Sequence, residues 1–124
     1  MKVRPALLVA EQEPEGALST RKLVLETAKF NVVTAHSAEE ARAVLDLMAP
    51  GLAALIVTAN LGPENDCAAL AKVYKEKKPD SPVIFLSPGG DHDCRWSDHQ
   101  LSSHEPEKLV TLVRKLFGDP RRLA

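Results

Sequence analysis

The chain has 124 residues, a formal net charge of −1 and 27% charged side chains. That length is enough for one domain with one hydrophobic core, and that charge balance gives no electrostatic reason to bind nucleic acid or an anionic membrane. No apolar run approaches the ~20 residues of a membrane helix, and Met1–Pro5 leads into a strand-length segment rather than a signal-peptide core.

Ala6–Ala10 is an apolar run of buried-strand type, ended by the polar Glu11-Gln12-Glu13. Pro14 suits a first helical position, with Leu18, Leu25 and Ala28 following at helical spacing. Asn31–Ala35 reads as a second short strand. Ser37 and Glu40, three apart, form a capping box at the head of a helix whose apolar stripe is Ala41, Val44, Leu45 and Met48. Pro50-Gly51 stops that helix. Ala53–Ala59 is almost wholly apolar, closed by Gly62-Pro63, and reads as a strand buried on both faces of a parallel sheet.

Cys67, Leu70, Ala71 and Tyr74 line one face of a third helix, which closes in the basic run Lys75–Lys78, expected to be solvated surface. Pro82–Ser87 is a fourth buried strand, followed by Pro88-Gly89-Gly90 and a polar tract without period. His99–Ser102 makes a short, poor strand. Pro106 opens a last helix with Leu109, Leu112, Val113 and Leu116 on one stripe, ended by Gly118-Asp119-Pro120. This alternation of strand and helix predicts an α/β three-layer sandwich, a parallel sheet with helices on both faces. Residues 1–118 form the expected domain and 119–124 a tail or linker.

Laid out this way, the chain resembles the receiver domain of two-component response regulators, the CheY-like, flavodoxin-like fold, from about Pro5 to Phe117. The pieces that carry the resemblance are Leu7–Pro14, Val32–Ala35 with Ser37–Ala41, Ala53–Pro63 and Pro82–Ser87. It implies five parallel strands in the order 2-1-3-4-5 and a chemistry built on an acceptor aspartate, an acidic pair that holds Mg2+, a switch hydroxyl and a lysine. Matched position by position, Glu11 and Gln12 stand at the acidic pair, Ala59 at the acceptor, Ser87 at the hydroxyl, and Ser102 or Ser103 at the lysine. Glu11, Gln12, Ala59, Ser87, Ser102 and Ser103 thus make a vestigial phosphorylation site. One carboxylate beside a neutral amide is a poor Mg2+ site. Thr58 is not expected to replace the nucleophile, because neighbouring strand side chains point to opposite faces. Neighbours are expected to have closed over Ala59.

The stretch from Ser87 to Leu101 is about two helical turns short of the family pattern, so the fourth helix should be shortened or missing. Trp96, the large aromatic of that stretch, is expected to lie over the uncovered sheet flank, and the outer side of the last helix, Lys108, Thr111 and Lys115, to meet a partner.

Several side chains admit a sharper reading beside a plainer one. Asp91, His92, Asp93, Cys94, Asp98, His99 and His104 are ligand-capable, but they match no standard zinc spacing and a solvated loop is expected. Cys94, beside Arg95 and His92, has the setting of a redox-sensing thiol; an incidental loop cysteine is the plainer reading, and Cys67 a small core residue. With no close spacing, two free thiols in a reducing compartment are expected rather than a disulfide. Glu11 and Glu13 can serve a divalent ion or the helix dipole. Ser87 is either the switch hydroxyl or a strand-end serine bonded to backbone. An enzyme using Glu11, Ser87 and His92 is the rival class; it is disfavoured for want of a nucleophile elbow, phosphate loop or carboxylate dyad.

The reading that results is a non-enzymatic pseudo-receiver. It is a cytoplasmic, phosphorylation-independent interaction module without metal or cofactor, engaging a signalling protein or a second copy but neither nucleic acid nor membrane. The alternative is the same fold switched by a small ligand or a different modification at the vestigial site.

Overall fold

The computed structural model describes residues 6–12, 19–59, 61, 66–88 and 94–120, and in it each apolar run becomes a strand of one sheet. The strands are β1 (Ala6–Ala10), β2 (Asn31–Ala35), β3 (Leu52–Thr58), β4 (Val83–Ser87) and β5 (His99–Ser102). They run parallel in the order β2-β1-β3-β4-β5, as the resemblance implied. β3 lies one residue earlier than expected. Leu52 is inside it, and Ala59 sits in the turn beyond its end.

The helices are α1 (Thr20–Thr27), α2 (Ala38–Met48), α3 (Asp66–Lys77) and α4 (Pro106–Phe117), with a 3-10 turn at Ala49–Gly51. Ser19 caps α1 by accepting from the Lys22 amide at 3.2 Å. The start expected at Pro14, with Leu18, lies outside the described residues. Ser37 accepts from the Glu40 amide at 3.0 Å, the capping bond its spacing predicted. Gly118 ends α4 at φ 84°, a left-handed conformation that favours glycine, while its amide donates to the Arg114 carbonyl at 2.7 Å.

Strand alternation divides the core into two layers. Leu8, Leu55, Val57, Val83 and Phe85 face α2 and α3, where they meet Leu45, Leu70 and Tyr74. Leu7, Val9, Ile56, Ile84 and Leu86 face α1 and α4, where they meet Leu25, Leu109 and Val113. The sheet is therefore covered on both faces, as a parallel sheet requires.

Between β4 and β5 no helix occurs among the described residues. Residues 94–98 instead form a turn fastened twice to α3. Cys94 is joined by a disulfide to Cys67 in the first turn of α3, with Cα atoms 5.8 Å apart. This overturns the expectation of free thiols: separation in sequence does not limit pairing when β3, β4 and α3 bring the two positions together. At the other end, Asp98 accepts from the Val83 amide at 2.8 Å and from Lys75 Nζ at 2.5 Å. Burial works against ionisation of Asp98, but the bonds from Lys75 and the Val83 amide outweigh it and hold its carboxyl below the usual range.

Trp96 does not cover the sheet flank. It is 46% exposed at φ 80°, with the Arg95 guanidinium 5.4 Å from its ring centre. Cys94 fills the core position instead. The β5 partner of Phe85 is the exposed Gln100, so the outer strand presents a polar side chain where an apolar flank had been expected.

The basic end of α3 is not simply solvated. Lys75 Nζ donates to the Ser81 carbonyl at 2.9 Å, and Lys78 Nζ bonds the Leu52 carbonyl. Beside them the buried Tyr74 hydroxyl meets Ser81 Oγ at 2.6 Å, and Ser81 Oγ donates to the Ala53 carbonyl at 2.5 Å. Burial raises the Tyr74 pKa, with the Ser81 bond partly offsetting it. The end of α3 and the residues after it thus grip the start of β3.

Two outcomes follow for the fastened turn. Cys67→Ala/Cys94→Ala should lower the unfolding free energy by about 3–4 kcal/mol, the chain-entropy value for a loop of 27 residues, as read from urea denaturation against the oxidised parent. Asp98→Asn should cost less than about 1 kcal/mol at neutral pH, since the pair is partly exposed. A depressed carboxyl adds stability above its unfolded value and loses it as pH falls through the folded one. Acid titration of the Asn variant should therefore show a shallower loss than the parent.

Candidate functional site

The carboxyl edge of the sheet, where open α/β sheets place their chemistry, carries a cleft of about 150 Å3. It is lined by Arg21, Thr58, Ala59, Leu86, Pro88 and Ser103. The side chains expected to close over Ala59 leave this space open. Thr58 and Ala59 both border it. Ala59 lies past the strand end, where strict alternation no longer holds. The Ala59 amide is spent on the Leu86 carbonyl at 2.9 Å, and the Leu61 amide on the Thr58 carbonyl at 3.2 Å.

Glu11 directly follows β1, and its amide extends the ladder to the Ala35 carbonyl at 2.9 Å. Its side chain is fully buried and paired with Arg21, whose Nε donates to Oε2. His36 Nδ1 lies 3.2 Å from the Glu11 carbonyl and donates to it in the tautomer protonated there. Gln12, the next residue, is exposed. The two positions matched to the acidic pair therefore diverge, one into the core and one into solvent. Glu13 lies outside the described residues.

Arg21 is the functional residue that sequence reasoning missed. It sits on α1, ten residues from Glu11, and no local spacing links them. The available signal was a single carboxylate beside an apolar strand end, which needs a cation from somewhere. Mg2+ prefers several hard oxygen ligands in octahedral geometry. Here one carboxylate is held by a guanidinium, although its Oε1 is buried without a hydrogen-bond partner among the described residues. The amide neighbour Gln12 is exposed, and Ala59 at the cleft carries only a methyl. These residues do not fit the ion.

Ser87 is buried at the end of β4, and its carbonyl accepts from the Ser103 amide at 2.8 Å. Ser102 pairs with Ser87 in the ladder, and its Oγ accepts from the His104 amide at 3.1 Å. Ser103, not Ser102, borders the cleft. The structure thus brings Ala59 and Ser103 to one cavity with Arg21. Gln12 is left outside it.

The remaining candidates scatter. Asp91, His92 and Asp93 lie outside the described residues, so neither the rival triad with His92 nor the full polar tract is placed. Of that tract, Cys94 is in the disulfide and Asp98 is paired with Lys75. Lys108, Thr111 and Lys115 are exposed on α4. Lys108 pairs with Glu105 at 2.9 Å, whose hydrogen bond and charge raise its pKa, and Thr111 Oγ1 donates to the Glu107 carbonyl at 2.9 Å.

No family model and no curated protein matches this sequence. Solved structures match it in shape. A response regulator receiver domain protein from Clostridium thermocellum superposes with a TM-score of 0.76 at 18% identity, covering 98% of this chain and 100% of that one. A CheY-like receiver domain protein from Methanospirillum hungatei JF-1 gives 0.75 at 14% identity, covering 99% and 100%. A response regulator from Thermotoga maritima gives 0.72 at 23% identity, covering 93% and 98%. The chain has the CheY-like receiver fold.

Arg21→Met should leave the Glu11 carboxylate buried without its cation. The expected cost is about 2–4 kcal/mol at neutral pH, somewhat under the value for a fully buried pair because Arg21 keeps 20% exposure. Urea midpoints of parent and variant at neutral pH check the cost.

Proposed function

We propose that this chain is a receiver-fold regulatory module that acts through protein contacts without being phosphorylated. The observation that carries the proposal is the state of the carboxyl edge. The acceptor position is the methyl of Ala59, and Glu11 is neutralised by Arg21 rather than held open for an ion. Ser87 keeps the switch hydroxyl position, but Ser102 and Ser103 offer no ammonium in place of the lysine. On this reading Glu11, Gln12, Ala59, Ser87, Ser102 and Ser103 are the remains of a phosphorylation site, and the chain is not an enzyme. The structures it resembles are described as receiver domains and response regulators, which supports a place in signal transduction.

The module works on this reading in the cytoplasm, needs no cofactor, and engages a signalling protein or a second copy rather than nucleic acid or a membrane. Trp96, with the exposed Lys108, Thr111 and Lys115 of α4, supplies the contact surface. Residues 1–118 form the working unit and 119–124 a tail or linker. Pro120 is buried and Asp119 lies 3.9 Å from Arg114, so the tail's first two residues stay against the domain.

A small ligand in the Ala59 cleft is the second reading, favoured by the space itself. At about 150 Å3 it falls below the usual range of about 300–1,000 Å3 for drug-sized ligands, so its occupant would be of ion or fragment size.

Incubation with acetyl phosphate and Mg2+, followed by intact-mass measurement, tests the main reading. The expected result is no phosphoryl adduct. Ala59→Asp should also gain little, because Arg21 still occupies the Glu11 carboxylate and no lysine balances the added charge. A stoichiometric base-labile adduct on the parent would overturn the proposal.

A further inference from the structure

The disulfide stands where a signalling contact and a redox reaction can be coupled. It joins the start of α3, which follows β3 and Ala59, to the turn that follows β4 and Ser87. Both connections leave the edge of the sheet that bears the cleft. Across residues 94–97 the backbone and hydroxyl hydrogen bonds stay inside the turn. The Ser97 amide and Oγ both donate to the Cys94 carbonyl, at 3.2 and 2.7 Å. The next external tie is Asp98, which grips Lys75 and the Val83 amide. The bridge is thus the anchor of residues 94–97, and those residues carry the exposed Trp96 with the Arg95 cation beside it.

We propose that Cys67 and Cys94 are a reversible thiol–disulfide site, taking a dithiol oxidoreductase as its redox partner, and that reduction frees the Arg95–Trp96 turn from α3. The argument rests on the cytoplasmic placement proposed above. Disulfides that form in a reducing compartment are commonly transient and redox-sensing rather than permanent. In the exchange, a thiolate of the reductant attacks one sulfur of the bridge, and the other cysteine leaves as a thiolate. The reductant's second thiol then displaces the mixed disulfide. Two electrons and two protons reach the cysteine pair, and the reductant departs as its own disulfide. Cys67 and Cys94 are only 7% and 2% exposed. Exchange therefore proceeds through local opening of the turn. With the sulfurs parted, Cys94 no longer needs its place in the α3 layer, and the contact surface built on Trp96 changes shape. The switch is carried by a covalent bond, in a fold whose phosphoryl acceptor is a methyl group.

The test uses the full chain, oxidised or treated with thioredoxin, its reductase and NADPH, beside Cys67→Ala/Cys94→Ala. Free thiols are counted by alkylation and mass measurement under native conditions. Amide exchange of residues 94–103, quenching of the single tryptophan and far-ultraviolet dichroism are read on the same samples. The expected result is two alkylated cysteines and at least tenfold faster exchange in residues 94–97. Trp96 should be more readily quenched, with the dichroism unchanged, and the double alanine variant should match the reduced parent. Failure to reduce the bridge under native conditions would overturn the proposal. So would exchange and quenching that do not respond to reduction, or loss of secondary structure on reduction, which would make the bridge a pillar of the fold. None of these readouts involves phosphoryl transfer, so an adduct from acetyl phosphate would overturn the proposed function and leave this site standing.

Discussion

A parallel sheet must be covered on both faces, and here the Cys67–Cys94 bridge completes the cover of one face. α2 and α3 lie over β1 and β3, but no described residue between β4 and β5 supplies a further helix on that side. Val83 and Phe85 belong to that layer, and Cys94 completes it. A small side chain at the end of a turn buries little area by itself. Tied covalently to α3, it is held in the layer without the backbone ordering that a helix would require. Asp98 closes the same turn through Lys75 and the Val83 amide, so the substitute for a helix is two clamps on one neighbouring helix.

The carboxyl edge follows a related logic of replacement. A buried carboxylate requires a cation, because removing a charge from water costs several kcal/mol unless it is paired. In this chain Arg21 provides that cation from within. On the proposed reading the edge needs no ion and presents a constant surface, and the bridge between the connections after β3 and β4 is a chemically distinct place for a change of state.

Much of the fold was legible from residues. Ala6–Ala10 and His99–Ser102 are strands with the expected bounds, β3 and β4 depart from their expected starts by one residue, and Ser37–Glu40 is the predicted cap. These follow from local chemistry: β-branched and apolar runs bounded by Pro and Gly, and hydroxyls before helical stripes. That residue 59 carries no carboxylate needs no coordinates either. Lys75 and Lys78 were misread because charge density along a helix does not reveal that a strand's carbonyl ends lie beneath it. Trp96 was misplaced because its hydrophobic area was weighed without the polar partner strand, Gln100, which leaves little apolar flank to cover.

By itself the sequence determined the order of strands and helices, the two apolar faces of the sheet and the absence of a carboxylate at Ala59, since each depends on neighbours within a few residues. Tertiary structure alone decided that Cys67 meets Cys94, that Arg21 meets Glu11, and that Ser103 rather than Ser102 borders the cleft. Those pairings join residues on different elements, and their distances are set by how strands and helices stack rather than by the spacing of letters along the chain.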